Sequence, residues 1–307
     1  MIDVCLLGTG GMMPMPFRWL TSLLVRYNGK QILVDCGEGT QITLRKRGFS
    51  SNPIDVMLFT HYHADHISGL PGMLLSMANS ERTEPVLMVG PRGLERVVNS
   101  LRVIAPGLPF QIEFRELSEP EESFTLPGEK DFLIRAFKVQ HSVPCYGYAM
   151  ELSRTGRFQV EKAEALGLEK PLWGRLQKGE TIRLEDGRVI TPDQVLGETR
   201  KGLKLAYVTD TRPCEAIVRA AEGADLMICE GMYGDESKHV DAVQKKHMTF
   251  REAAKLAAAA QPEQMWLTHY SPSLLRPEEF MDPVREIFPN AYAGKDGKTT
   301  TLRFLED

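Results

Sequence analysis

Short apolar runs rich in β-branched and aromatic residues recur along the whole chain, with polar and glycine-containing segments between them. Runs of this kind predict β-strands with at least one buried face. The predicted strands cover residues 3–7, 22–27, 31–35, 54–60, 85–89, 132–139, 204–209, 225–229, 265–269 and 299–304. Sheet structure therefore dominates the predicted framework.

Helical periodicity appears between the later strands of each half of the chain. The predicted helices cover residues 39–47, 66–77, 91–104, 213–221, 249–260 and 277–287. In each half the strands come first as hairpins and then alternate with helices, an order that fits two sheets packed face to face with helices outside. We therefore predict a mixed α/β (α+β) fold, a four-layer αββα sandwich that forms one domain over residues 1–307.

The segment 154–188 interrupts this order. It is polar, carries eight Lys or Arg residues against six acidic ones, and contains Pro171, Trp173 and Gly174. We predict that it leaves the sandwich as an arm or a hairpin. An excess of two positive charges (eight minus six) indicates only modest affinity for phosphates. A hairpin that contacts another domain or a second copy of the chain is therefore an equally good interpretation.

Composition narrows the class of protein. Of the 307 residues 42% are hydrophobic and 25% charged, values typical of a soluble globular protein. No apolar run approaches the roughly 18 residues that a membrane span requires, and Asp3 stands where a signal peptide needs cations. The five cysteines lie far apart, as reduced core residues do. We expect a cytoplasmic protein without a membrane partner, and a net charge of −4 provides no overall cationic field.

The densest group of metal-ligand side chains lies in segment 60–66, THYHADH, at the end of a predicted strand. Side chains of a strand alternate with period two, so His61 and His63 point the same way and can reach one ion. Asp65 and His66, on the turn that follows, can face a second ion. A polar turn with solvated histidines is the alternative, but it does not account for four such residues packed so closely together.

Four further polar residues end predicted strands, where ligands from sandwiched sheets converge. His141 follows strand 132–139, His269 ends strand 265–269, and Asp210 follows strand 204–209. The two carboxylate oxygens of Asp210 allow it to bridge two ions. Asp35 ends strand 31–35, and we predict that it hydrogen-bonds a ligand imidazole and fixes its tautomer. For each residue alone, an ordinary turn or cap position is the alternative.

This ordered set of residues resembles the metallo-β-lactamase superfamily over nearly the whole chain. Within that superfamily the sequence is most similar to the ribonuclease Z family of endonucleases, which trim the 3′ trailer from precursor tRNA. The segments that carry this similarity are 8–10 (GTG), 35–41 (DCGEGTQ), 69–72 (GLPG), 209–212 (TDTR) and 267–269 (LTH).

The resemblance implies a centre with two zinc ions and a homodimeric enzyme. One ion would be held by His61, His63 and His141. The other would be held by Asp65, His66 and His269, with Asp210 between the two. Imidazole and carboxylate ligands also suit manganese, iron and cobalt.

The mechanism implied by this centre is attack of an activated water on phosphorus. By resemblance, Asp65 orients or deprotonates that water. His247, just before the predicted helix 249–260, is the candidate that protonates the leaving 3′-oxygen, and Glu230 would orient it. Thr249 is predicted to cap the helix and to contact a phosphate. A surface position next to the cap is the alternative for His247.

Three segments depart from the family pattern and bear on the substrate. The N-terminal loop 14–19, PMPFRW, retains Arg18, which we predict to bind substrate, but lacks the Lys and Asn of the family. Cys229 and Met232 replace a His and a Thr, and segment 169–174 lacks the Gly-Pro element of the arm. Two alternatives to precursor tRNA cleavage stay open. One is hydrolysis of a small phosphodiester or another ester, and the other is a metal-containing scaffold that binds RNA or protein.

Overall fold

The computed structural model describes residues 1–304. The chain forms two compact units: one comprises Met1–Glu151 and the chain from Leu203 onward, and the other is Leu152–Gly202. No helix in the described residues is long and apolar enough to cross a bilayer. Segment 154–188 lies inside the smaller unit, and its role as an arm stays a prediction.

The first sheet of the larger unit positions the N-terminal half of the site. Its strands are β1 (Ile2–Gly8), β2 (Ser22–Tyr27), β3 (Lys30–Val34), β4 (Ile54–Leu58), β5 (Val86–Pro91), β6 (Ile112–Leu117) and β16 (Thr299–Leu302), in the order β16-β1-β2-β3-β4-β5-β6. The strands from β16 to β3 pair antiparallel, and those from β3 to β6 pair parallel. Val34 lies opposite Leu58 and Leu58 opposite Val89, so the carboxyl ends of β3, β4 and β5 meet at one edge.

The second sheet repeats this arrangement with the C-terminal half of the chain. Its strands are β7 (Glu121–Leu126), β8 (Glu129–Lys138), β9 (Tyr146–Arg154), β12 (Arg200–Val208), β13 (Leu226–Glu230), β14 (Met265–Thr268) and β15 (Ala291–Ala293), in the order β15-β14-β13-β12-β9-β8-β7. The pairs from β12 to β15 are parallel. Val208 lies opposite Cys229 and Cys229 opposite Leu267, so these three strands also end at one edge.

Contacts between β2 and β8, and between β9 and the end of β4, join the two sheets. The rings of Tyr27 and Phe132 lie 5.1 Å apart, and the Tyr148 hydroxyl donates a 2.7 Å hydrogen bond to the Phe59 carbonyl. Two apolar cores form where each sheet packs against its helices. The helices of the larger unit are α1 (Thr40–Lys46), α2 (Ala64–Ile67), α3 (Leu70–Ala78), α4 (Leu94–Leu101), α7 (Glu215–Ala221), α8 (His239–Lys245), α9 (Phe250–Ala260) and α10 (Asp282–Arg285).

A capping motif and a row of small buried residues explain why helix α9 forms where it does. The Thr249 hydroxyl accepts the backbone N–H of Glu252, and the Glu252 carboxylate accepts the backbone N–H of Thr249, a reciprocal capping box. Beyond the cap, small side chains at helical spacing let the backbone lie close to the sheet, and they are buried: Ala253, Ala254, Ala257 and Ala260.

The smaller unit has its own apolar cluster. It contains α5 (Val160–Ala165), α6 (Lys170–Gln177), β10 (Ile182–Arg183) and β11 (Val189–Ile190), and the last two form a two-stranded antiparallel sheet. Pro171 lies in the first turn of α6, where a proline is tolerated because that N–H has no partner inside the helix. The Trp173 ring lies 5.4 Å from that of Phe158 within the cluster.

The predicted fold class is confirmed, since two sheets flanked by helices form the larger unit. The strand pattern missed β6 and β7, because their charged residues give only weak apolar runs, and it also missed β9 and β15. Two predicted helices were wrong as single elements. The helix predicted at 66–77 is two helices separated at Gly69, and the one predicted at 277–287 is a 3₁₀ turn, Pro277–Phe280, followed by α10. Prolines 71, 277 and 283 each lie in the first turn of a separate helical segment there.

Candidate metal centre

The motif in segment 60–66 lies where β4 ends at the edge between the sheets. His61 is fully buried just beyond the strand, and His63 is the N-terminal cap residue of α2. Asp65 and His66 lie on α2 and are buried. A strand that passes directly into a short helix therefore presents all four side chains to one place.

Three ligand candidates come from the second sheet. His141 lies three residues beyond β8, Asp210 lies two residues beyond β12, and His269 directly follows β14. Asp210 and His269 adopt left-handed backbone conformations with φ of 53° and 59°, and Asp35, at the end of β3, has φ of 56°. Residues other than glycine rarely adopt this conformation. Here it turns the chain sharply at each strand end.

The first group of donors contains three imidazoles and one carboxylate. Nδ1 of His63 lies 2.9 Å from Nε2 of His61 and 3.2 Å from Nε2 of His141. Oδ2 of Asp210 lies 3.6 Å from Nε2 of His61 and 3.9 Å from Nε2 of His141. These four donor atoms all lie within 4.8 Å of one another.

The second group lies on the other side of Asp210. Nε2 of His66 and Nε2 of His269 are 3.2 Å apart, and Oδ2 of Asp65 is 3.3 Å from the His269 nitrogen. Oδ1 of Asp210 lies 3.1 Å from each of the two imidazole nitrogens. One oxygen of Asp210 therefore faces each group, as a bridging carboxylate requires.

The donor atoms fit divalent cations. In the first group, Nδ1 of His63 faces two other ring nitrogens, whereas one hydrogen between nitrogens can satisfy only one such contact well. A cation accepts lone pairs from all of them at once. Nitrogen and carboxylate oxygen donors are those that zinc-class ions prefer. The cluster therefore has the composition of a metal-binding site.

The pKa shifts of the site residues also favour metal binding. Burial lowers the pKa of His61 and of His141, which favours the neutral imidazole that binds a cation. Burial raises the pKa of Asp65, but its hydrogen bond with His269 and the charge of His66 outweigh burial and hold that pKa far below its usual range. For the fully buried Asp210, His269 and His66 likewise outweigh burial and lower the pKa. Burial lowers the pKa of His66 too, but the carboxylates of Asp210 and Asp35 outweigh it and raise this pKa. The carboxylates thus stay ionised, and the low pKa values of His61 and His141 favour their neutral forms.

Asp35 lies behind His66. Its Oδ2 is 2.8 Å from Nδ1 of His66, while Oδ1 accepts the backbone N–H of Thr60 at 2.8 Å. Because the Asp35 carboxylate accepts a hydrogen bond, the proton of the imidazole lies on Nδ1. Nε2 of His66 therefore faces the cluster. A similar arrangement holds His141, whose Nδ1 lies 3.1 Å from the Lys246 carbonyl oxygen.

His247 stands beside the cluster and contacts Glu230. Nδ1 of His247 lies 3.2 Å from Oε2 of Glu230, and its ring centre is 5.4 Å from that of His269. Burial lowers the pKa of His247, but the Glu230 carboxylate outweighs it and raises this pKa to about 9. A donor atom of His247 also lies within 4.8 Å of donors of Asp210 and His269, so the geometry would allow it to be a ligand as well.

Two family models match different parts of the chain. The family model described as Beta-lactamase superfamily domain matches residues 184–270, and the one described as Anti-Pycsar protein Apyc1 matches residues 2–146. The structure is similar to that of human tRNase Z, short form, with a TM-score of 0.70 and 22% identity over 98% of this chain and 100% of that chain. This likeness shows the metallo-β-lactamase fold.

Similarity in sequence shows the family to which the chain belongs, in addition to the fold. The chain is 58% identical to a protein named Ribonuclease Z from Lachnoclostridium phytofermentans, over 99% of both chains. It is 57% identical to another of that name from Agathobacter rectalis, over 100% of both. The chain belongs to the ribonuclease Z family. The resemblance predicted from its motifs is confirmed.

In this ribonuclease Z family member, the loop after β1 supports the cluster through contacts that the sequence motifs did not predict. The backbone N–H of Met12 donates a 2.7 Å hydrogen bond to Oδ2 of Asp65. A Cβ atom added to Gly11 would lie 2.7 Å from Cε1 of His269. Only glycine fits there unless the imidazole moves. The glycines at 8, 10 and 11 were the available signal, but a sequence does not show what they approach.

Two residues predicted to bind substrate have structural partners instead. Arg18 is buried, and its guanidinium donates hydrogen bonds to the carbonyls of Leu274 at 2.9 Å and Leu275 at 3.2 Å. Thr249 is fully buried, and its hydroxyl caps α9. The structure therefore favours positioning roles for both residues over direct contact with a phosphate.

The replaced residues of the ribonuclease Z pattern lie in the core. Cys229 is fully buried with its Sγ 4.0 Å from Sδ of Met248, and Met232 is 1% exposed. Their side chains pack inward, so these changes substitute apolar contacts for polar ones in the layer behind the site. Glu230, between them, is the residue that reaches His247.

Proposed function

We propose that this protein is a metal-dependent endoribonuclease that removes the 3′ trailer of precursor tRNA with two zinc ions. The observation that carries the proposal is the pair of donor groups that share Asp210, with the His247–Glu230 pair beside them. Relatives named Ribonuclease Z match the whole chain at 57–58% identity. The protein is thus a hydrolase of the metallo-β-lactamase fold.

The residues of the two groups would hold the ions. His61, His63 and His141 would bind one, Asp65, His66 and His269 the other, and Asp210 would bind both. When bound, divalent ions supply Lewis-acid activation of water and compensate the negative charge that develops on a phosphate. Zinc is the ion we propose, although manganese, iron and cobalt accept the same ligands.

Asp65 is the residue placed to orient or deprotonate the attacking water. Its Oδ2 is held by the Met12 N–H and by His269, so the carboxylate has one orientation. Its low pKa keeps it ionised, which suits it to hold a water by hydrogen bonding.

His247 is the residue placed to protonate the leaving 3′-oxygen. Glu230 accepts a hydrogen bond from Nδ1, so the proton on Nε2 is the one available for transfer. Its raised pKa keeps His247 protonated at neutral pH. The products would be a 3′-hydroxyl on the tRNA and a 5′-phosphate on the trailer.

The test is cleavage of precursor tRNA by metal-replete protein, with both product ends determined. We expect one cut at the trailer, with the ends given above. A small aryl phosphodiester is assayed in parallel, and turnover of that ester alone would replace the proposal by a small-phosphodiester hydrolase. His63→Ala should abolish nearly all turnover and lose little RNA affinity. Binding without cleavage by wild-type protein would indicate a scaffold.

Three further parts of the proposal concern the setting of the enzyme. We expect it in the cytoplasm, as a homodimer, with segment 154–188 as an arm that contacts the RNA. Support comes from the family resemblance and from five cysteines that are all free thiols. Analytical ultracentrifugation tests the dimer, and deletion of residues 154–188 with measurement of KM for precursor tRNA tests the arm.

A further inference from the structure

An ion pair between Arg212 and Glu252 lies at the start of helix α9. Arg212 stands two residues beyond Asp210, and Glu252 lies in the first turn of the helix. The Arg212 guanidinium donates hydrogen bonds to both carboxylate oxygens of Glu252, and the one from Nη1 to Oε2 is 3.0 Å long. Both side chains are largely buried. A planar guanidinium bonded to both oxygens of a carboxylate fixes orientation as well as distance.

The same guanidinium also reaches the backbone of His247. Its Nη1 donates a hydrogen bond to the His247 carbonyl oxygen. Oε2 of Glu252, which Nη1 contacts, accepts the backbone N–H of Thr249 at 2.9 Å. The Arg212–Glu252 pair therefore contacts the backbone on both sides of Met248 and holds the peptide segment 247–249 in place.

The turn after Asp210 acts on His247 a second time, through Glu230. The backbone N–H of Thr211 donates a hydrogen bond to Oε1 of Glu230, and Oε2 lies 3.2 Å from Nδ1 of His247. Thr211 thus holds the carboxylate that contacts the ring, while Arg212 holds the carbonyl of the same histidine. Because Asp210 directly precedes both residues, this turn ties the position of His247 to the proposed bridging ligand.

A helix cap alone does not explain this arrangement. The capping box at the start of α9 needs only Thr249 and Glu252. Neither a cap nor an ion pair requires the hydrogen bond from Arg212 to the His247 carbonyl. That bond joins the pair to the residue placed to protonate the leaving oxygen.

We propose that Arg212, held by Glu252, is a positioning residue that aligns His247 with the leaving 3′-oxygen. The inference rests on the proposed function, in which the P–O bond to that oxygen breaks as Nε2 of His247 transfers its proton to it. Arg212 acts through His247 and transfers no proton itself. Without Arg212 the segment 247–249 gains freedom to move, and proton transfer needs donor and acceptor about 3 Å apart. Loss of Arg212 should therefore slow only reactions whose leaving group needs a proton.

Two substrates with different leaving groups test this role. Precursor tRNA releases an alkoxide that must be protonated, whereas bis(4-nitrophenyl) phosphate releases 4-nitrophenolate, which is stable as an anion. In single-turnover cleavage of precursor tRNA, Arg212→Gln should lower the rate constant about tenfold or more. KM for precursor tRNA should change less than about twofold, and cleavage of the aryl ester should slow less than about threefold. Equal losses for the two substrates, or loss of bound metal, would indicate a disturbed metal centre and would overturn the assignment.

Two further variants separate geometry from charge. Arg212→Lys retains the positive charge but lacks the planar fork, so it should lose most of the rate that Arg212→Gln loses. Full activity in Arg212→Lys would mean that charge alone matters and would overturn the positioning role. Arg251→Gln is the matched control, because Arg251 is exposed in the same turn of α9 as Glu252. It removes the same charge and should change the rate less than about twofold. A loss as large as that of Arg212→Gln would count against the proposal.

A double-mutant cycle tests the part played by Glu252. Glu252→Gln keeps a side-chain oxygen that can accept the Thr249 N–H, but it removes the charge that holds Arg212. Its rate loss and that of Arg212→Gln should not add, because the two side chains act as a unit. Full additivity would overturn the pairing. If circular dichroism shows that Arg212→Gln does not fold, Glu252→Gln carries the comparison of leaving groups.

Failure of this inference and failure of the proposed function give different results. If small phosphodiesters are cleaved but precursor tRNA is not, the proposed function falls. A dinucleoside monophosphate, which also releases an alkoxide, then replaces the tRNA, and a selective loss with it would uphold the positioning role. If precursor tRNA is cleaved and Arg212→Gln slows both substrates equally or neither, the inference falls and the proposed function stands.

Discussion

Two histidines of the site have a buried carboxylate behind them. Asp35 contacts the far nitrogen of His66, and Glu230 contacts His247. Both carboxylates are fully buried or nearly so, which makes their hydrogen bonds strong and their loss costly. The chemistry of the site is therefore set by residues that need not touch the substrate.

Removal of the Glu230 charge should change the pH profile of cleavage. Glu230 raises the pKa of His247 to about 9, so the protonated acid is present below that pH and is lost as pH rises through it. Glu230→Gln should move the alkaline limb of kcat to lower pH by about one unit or more and slow cleavage at pH 8. A pH–rate series from 6 to 10 measures this.

His247→Ala is the companion variant. It should slow cleavage, abolish the limb that Glu230→Gln shifts, and retain the full metal content. Loss of metal from this variant would make His247 a ligand, an arrangement that its distance from Asp210 and His269 would allow. An unchanged limb in Glu230→Gln would remove Glu230 from the mechanism.

At the scale of elements, Arg212 ties α9 to the turn that carries Asp210. Its guanidinium donates to both oxygens of Glu252 and to the His247 carbonyl, while its backbone N–H donates to Gln140. The side chains of Arg212 and Glu252 are 16% and 13% exposed. The pair thus holds together the segments that present His141, Asp210 and His247.

Loss of this pair should weaken the fold measurably. Arg212→Gln should lower the free energy of unfolding by about 2 kcal/mol, because it leaves a largely buried Glu252 without its partner. Urea unfolding measures the change. Arg219→Gln, which breaks an exposed pair with Glu215, is the control and should stay within about 0.5 kcal/mol of wild type. Equal effects of the two substitutions would refute a structural role for Arg212.

Elements with strong periodicity were predicted well, and those with weak patterns were not. Strand β2 agrees residue for residue with its apolar run, and α9 agrees to within one residue. β7 was missed because it begins with Glu121 and Glu122 and has only Phe124 and Leu126 as large apolar residues, and it becomes a strand through its pairing with β8. Its strand conformation therefore depends on tertiary pairing and not on local sequence preference.

On the scale of the whole molecule, the proposed ions would link the two sheets. His61, His63, Asp65 and His66 follow a strand of the first sheet, whereas His141, Asp210 and His269 follow strands of the second. Ligands drawn from both sheets do not converge in an unfolded chain. Metal affinity should therefore appear as stability.

Metal removal should lower the thermal midpoint. A ligand at 100 times its Kd stabilises the native state by about 2.7 kcal/mol, so chelation should remove a contribution of this order. Differential scanning calorimetry with and without chelator, followed by addition of Zn²⁺, measures it. His63→Ala should show a smaller difference between the two conditions. An unchanged midpoint in wild type would contradict a metal link between the sheets.

The sequence by itself determined the fold class, the motif at segment 60–66 and the polar residues at strand ends, because these depend on local periodicity and on residue type. Only the tertiary structure decided which donors meet, that Asp210 turns one oxygen to each group, and that Arg18 and Thr249 are buried. The physical reason is that strand register and left-handed turns at Asp35, Asp210 and His269 aim the side chains. Contacts between residues far apart in the chain, such as His66 with His269 at a separation of 203 positions, arise from packing that no local pattern encodes.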